Sequence, residues 1–207
     1  MRRLPINVWV LLIAQALNMS VAPMVVLVGG IIGSQLAPSP ALATLPVALM
    51  VVGTALNTIF ATMASARWGR KPVFYGGLLL SITGALNSGA GLMEGSFYMF
   101  CRGTLFMGSS LAIVQQYRFA AMESVAPDMV PRAASRILLA GLISAFIGPE
   151  LAVLGKDVLS TPYAASFFGL IGLNLLAALV LVAYKPAPVA QHHEKSPPQA
   201  WPALLGQ

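Results

Sequence analysis

Most ionisable residues of this chain fall in or beside short stretches between long apolar runs, and two stand out against that pattern. Arg102 stands in "SFYMFCRGTLFM" and Glu150 in "AFIGPELAVL", each flanked by strongly apolar sequence. Charge inside such a run is costly and marks a functional candidate. A carboxylate among apolar groups can take up and release a proton. Loss of hydration favours the neutral acid, and an adjacent guanidinium favours the anion. The pair therefore points to proton-coupled work. The plainer readings are a fixed ion pair, or a Glu150 hydrogen bond to backbone freed at Pro149. Arg102 also opens a polar series with Ser109 and Gln116, spaced seven apart and so on one helix face. A polar face in apolar surroundings lines a cavity or packs on another helix.

The elements that must position these residues are helices in a bilayer. Of 207 residues, 57% are hydrophobic and 9% charged, and the mean hydropathy is +0.81. A water-soluble domain carries roughly a quarter charged residues. Apolar stretches occur at 6–32, 41–66, 72–92, 96–119, 133–154 and 163–184, each close to the roughly 20 residues that cross a hydrocarbon core. The start, "MRRLPINVWVLLIAQAL", is like a signal peptide, but the apolar run continues past any such segment and reads as a retained helix. Alternating spans put Arg102, about five residues inside span four, and Glu150, about eight inside span five, at similar depth. They are expected to pair.

Charge sets the orientation. The net charge is +6. Arg2, Arg3, Arg67, Arg70, Lys71, Arg118, Arg132, Arg136, Lys185 and Lys195 all fall on one side, against Lys156, Glu94 and Asp157 on the other. Both termini are then cytoplasmic, in a protein integral to the cytoplasmic membrane. The fourth connection, "AAMESVAPDMVPRAASR", is the long one, and its Glu123 and Asp128 can meet Arg70. Gly77, Ser81, Ala85 and Gly89, like Ser144, Gly148 and Ala152, recur every four residues and suit close helix packing. Pro23 predicts a kink in span one. Residues 1–185 form the membrane domain, and Pro-rich 186–207 reads as a cytoplasmic linker or tail.

Several chemistries lack their residues. A lone cysteine, Cys101, makes no internal disulfide or C-x-x-C site, and His192 and His193 lie in the polar tail. The sequence holds no H-E-x-x-H, G-x-S-x-G or G-x-x-x-x-G-K-[ST] motif. No basic helix face with interleaved aromatics suggests nucleic acid. The reading is of a protein without cofactor, metal or enzymatic activity.

The turn "ARWGRKPVF" resembles the signature loop between helices two and three of the major facilitator superfamily, commonly G-x-x-x-D-R-x-G-R-[RK]. Arg67, Gly69, Arg70 and Lys71 match in register, while Thr62 and Ala66 replace its glycine and aspartate. That aspartate helps latch the two halves of the family's proteins, so the resemblance implies a weakened latch and a gating role for this loop. Arg102 falls near an embedded arginine common in helix four. "GLISAFIGPELA" is similar to the antiporter pattern G-x-x-x-G-P-x-x-G-G, with Gly148 and Pro149 matching and Ser144, Ala152 and Val153 replacing the other glycines.

The resemblance covers residues 1 to about 185 and implies an all-α polytopic fold, six helices as a 3+3 repeat, that is half of a twelve-helix transporter. The ending "PPQAWPALLGQ" is similar to the lead-in before helix seven. The expected partners are lipid, a small-molecule substrate and a second six-helix half, which is a missing carboxy-terminal half, a separate chain or a second copy. Helices one and four border the family's central cavity, so Asn18 joins Ser109 and Gln116 as a cavity-lining candidate. The function implied is secondary transport of a small organic solute, with proton-coupled efflux or antiport as the form. A non-transporting six-helix partner is the alternative.

Overall fold

Span one breaks just before its proline. In the computed structural model, which describes residues 4–186, helices α1 (Ile6–Met19) and α2 (Val21–Leu36) meet at Ser20. Pro23 has no N–H for the Met19 carbonyl, and its ring crowds that group, so the ladder opens there. The Ser20 hydroxyl turns back to donate to the Ala16 carbonyl at 2.7 Å.

The chain continues through α3 (Leu45–Trp68), α4 (Arg70–Met93), α5 (Phe97–Val114), α6 (Gln116–Glu123), α7 (Val130–Leu154) and α8 (Ala164–Val182). These build six spans long and apolar enough to cross a membrane: Ile6–Leu36, Pro40–Trp68, Arg70–Met93, Phe97–Glu123, Pro127–Leu154 and Ala164–Val182. All regular structure among the described residues is helical. Arg2, Arg3, Lys195, the two histidines and nearly all of the tail lie outside the described residues.

Two connections depart from simple expectation. Gly69 alone joins α3 to α4, at φ 84° and ψ 165°, a conformation essentially confined to glycine. The connection after span four is short, since α7 already begins at Val130. Pro127 and Pro131 occupy the first turns of helical segments. There a missing N–H removes no helical bond and the fixed φ favours initiation. The prolines that read as loop therefore start structure.

Helix α5 packs chiefly on α3 and α4, α7 on α1 and α2, and α8 on α4 and α1. Glycine permits the tightest crossings. A β-carbon on Gly108 would collide with the Met50 carbonyl, and one on Gly84 would lie 2.7 Å from the Gly103 carbonyl. Both small-residue stripes are buried. Gly77 faces Ile113 and Gly89 faces Phe168, while Gly148 backs onto Ser20 and Pro23. The last contact fits span five into the break in span one. Asn18 and Asn174 bridge the first and last spans, amide to amide at 2.9 Å, both fully buried.

Candidate functional site

At the basic end, Arg70 and Lys71 begin α4, where the positive pole of the helix dipole makes added cations unfavourable without partners. Each has one. Arg70 Nε donates to Glu123 Oε2 at 2.7 Å, and a terminal nitrogen donates to Oε1, a bidentate pair between spans three and four. Lys71 Nζ donates to the Val182 and Tyr184 carbonyls at 3.1 and 2.9 Å, at the negative pole of α8. Asn7 exchanges two hydrogen bonds with the Lys185 backbone, donating at 2.6 Å and accepting at 3.2 Å. Beneath them Phe74 stacks tilted against Tyr117 and Tyr184, with centroids 4.3 and 5.8 Å away. Burial pushes the Tyr184 phenol above its usual range, with Arg70 lowering it and Glu123 raising it.

The other residues of this group are less engaged. Arg67 is exposed in the last turn of α3, where a cation favours the dipole. Asp128 is exposed in the Pro127–Met129 turn and forms no ion pair among the described residues. Glu123, not Asp128, receives Arg70.

The expected pairing of Arg102 with Glu150 is not what the structure holds. Arg102 donates from Nε and a terminal nitrogen to Asn87 Oδ1 at 3.0 and 2.6 Å. Glu150 is exposed, without an ion pair among the described residues. The two are at comparable depth, but α5 packs on α3 and α4 while α7 packs on α1 and α2, so they face different sides of the bundle. Glu150 lies four residues from the end of α7 at Leu154, the same end that the apolar stretch 133–154 gives, so the count of about eight is too large. Pro149 leaves α7 unbroken.

For the polar groups given as cavity-lining candidates, the structure shows the other reading left open, packing between helices. Asn18 bonds to Asn174 rather than facing helix four. Ser109 is buried against Gly53 of α3 and donates to the Leu105 carbonyl at 3.0 Å. Gln116 donates to Thr62 of α3 at 3.2 Å. These groups join helices. Ser109 and Gln116 do share a face of span four, as the seven-residue spacing implied, and that face packs on α3.

A cavity of about 400 Å³ does lie between spans one, two, four and five. Gln15, Thr54, Gln115 and Arg118 give its polar wall, and Met19, Leu111, Val114, Ile137 and Leu138 much of its apolar one. The Thr54 hydroxyl lies 2.9 Å from both the Met50 and Gly108 carbonyls and so is satisfied by backbone. Gln15 is buried, and its oxygen has no donor among the described residues. Arg118 lies over the Phe119 ring, 5.0 Å from its centroid, and has no carboxylate partner among the described residues. An apolar concavity of this size with a few polar groups suits a small organic molecule. Sequence reading missed Gln15, Gln115 and Arg118. The first carried the same signal as Asn18, a polar group inside an apolar run, and the third was counted only as a topological charge.

The model of the Major Facilitator Superfamily matches residues 8–207. The riboflavin transporter RfnT of Brucella anthropi is 39% identical over 176 residues, covering 84% of this chain and 44% of that protein. An uncharacterized MFS-type transporter, YddS, of Bacillus subtilis is 26% identical over 167 residues, covering 78% and 38% respectively. The chain thus spans less than half the length of the curated relatives it matches.

Proposed function

Because this chain belongs to the major facilitator superfamily, we propose that it serves as one six-helix half of a secondary transporter for a small organic solute, with riboflavin the first solute to test. The carrying observation is the cavity of about 400 Å³ between spans one, two, four and five, apolar along most of its wall and polar at Gln15, Gln115 and Arg118. A flat heterocycle with amide-like edges matches that mixture. The similarity to a riboflavin transporter supports the same choice.

In this reading the basic end is cytoplasmic, in the inner membrane, and a second six-helix half completes the cavity. Spans two and five are among the least buried, and they supply the surface for that half. Transport is antiport against protons, with Glu150 the carboxylate that carries them: among the described residues it is the one acid within a span away from the basic end. The cytoplasmic loop gates inward opening through making and breaking of Arg70–Glu123.

The test is riboflavin flux in cells that lack their own carrier, with and without this protein as it occurs in its membrane. Expression should confer saturable flux that responds to an imposed pH gradient, and Glu150→Gln should abolish the pH response. No riboflavin-dependent difference would remove the substrate assignment. Unchanged pH response in Glu150→Gln would remove the proton role.

A further inference from the structure

Gln15 differs from Asn18, the other buried amide of span one, in bordering open volume. It is 8% exposed, on the wall of the cavity. Its Oε1 is buried and receives no hydrogen bond from the described residues. Its Nε2 has just the Met19 thioether, 3.9 Å away, a weak acceptor. Asn18, one turn along, donates to Asn174, and although its Oδ1 also receives no bond from the described residues, it does not border the cavity. A primary amide offers two N–H donors and an oxygen with two lone pairs, and buried polar groups in folded proteins find partners. Here nearly all of that capacity is unused at the edge of an apolar cavity.

The terminal torsion of a glutamine is soft. Rotation about it turns the amide edge toward the cavity without moving α1. That edge carries an acceptor beside a donor. It is complementary to a ring in which N–H and C=O are adjacent, a lactam or imide: the Gln15 oxygen accepts the ring N–H, and its nitrogen donates to the ring carbonyl. Met19 lines the same cavity, and its thioether favours the edge or face of an aromatic ring. Leu111 and Val114 add apolar wall for a flat system.

We infer that Gln15 determines specificity by reading a lactam or imide edge of the transported solute. The inference rests on the transport reading above and deepens it. Riboflavin presents such an edge, an imide N–H between two carbonyls, and methylation of that nitrogen removes the donor while leaving the ring system in place.

The experiment uses the native protein whole, with riboflavin and 3-methylriboflavin as the two probes. Flavin fluorescence titration of the purified wild type should show riboflavin preferred by at least about tenfold, the worth of one hydrogen bond with its unsatisfied partner. Flux in cells should show the same preference. Gln15→Met, which keeps the side chain's length but has no amide, should bring the preference close to one at matched membrane abundance. A general loss of structure would lower both fluxes and leave the ratio intact. Equal binding of both flavins by the wild type overturns the inference, even without a folded variant. So does a preference that survives Gln15→Met, and in both cases riboflavin transport still stands. A wild type that neither binds nor carries riboflavin overturns the substrate reading, and the imide edge with it.

Discussion

The basic end and the cavity contain the same kinds of group, guanidinium and amide among apolar side chains, but satisfy them differently. At the basic end Arg70 has a carboxylate, Lys71 two carbonyls and Asn7 a reciprocal backbone pair. The Tyr117 and Ser65 hydroxyls are exceptions, buried without a partner among the described residues. In the cavity the Gln15 oxygen is unpaired and Arg118 has only a ring beneath it. A polar group that the protein satisfies fixes one helix to another. One that it leaves unsatisfied beside an open volume retains its interaction for something else. The difference separates residues that hold the bundle from those offered to a solute.

That contrast can be broken most severely at the buried amide bridge. Asn18→Leu leaves Asn174 Oδ1 unpaired in the core, and should lower stability by about 1–3 kcal/mol. Thermal unfolding in detergent measures this. Adding Asn174→Leu should recover part of the loss, since two apolar groups leave nothing unsatisfied. No recovery would show that packing, not the hydrogen bond, holds the spans together there.

The cavity should behave in the opposite way. Gln15→Met removes an unpaired oxygen, so its stability should stay within about 0.5 kcal/mol of wild type or rise, while riboflavin preference collapses. A large destabilisation would place Gln15 among the structural amides and dissolve the contrast. The smallest effect belongs to the Arg70–Glu123 pair, whose side chains are 21% and 56% exposed. Water and salt screen such a pair, so a double-mutant cycle should give a stability coupling of about 0.2–1 kcal/mol. A larger effect on flux than on stability would support a gating role. Equal effects would make the pair a simple tether.

Much of the fold was legible because its determinants are one-dimensional. Six spans follow from runs of apolar residues measured against bilayer thickness, and the basic turn at Arg67, Gly69, Arg70 and Lys71 follows from composition and one glycine. Arg70 with Glu123 was within reach because both lie at the same end of neighbouring spans. Arg102 with Glu150 failed because depth was read correctly enough but direction around the helix was not. Ser109 and Gln116 failed for a related reason. The two do lie on one face of span four, but that face packs on α3, a choice of neighbour that spacing alone does not make. The site hid at Gln15 and Arg118, where an amide looked like one more polar residue in a helix and a cation like one more topological charge.

The sequence by itself determined that the chain lives in a membrane, how many times it crosses and which end carries the charge, because hydration is a property each segment meets alone. Tertiary structure decided which polar side chains found partners. Close crossings such as Gly108 on Met50 and Gly148 on Ser20 fix how neighbouring helices face each other, and the resulting packing joins Asn18 to Asn174 and Gln116 to Thr62 while leaving Gln15 beside an open cavity.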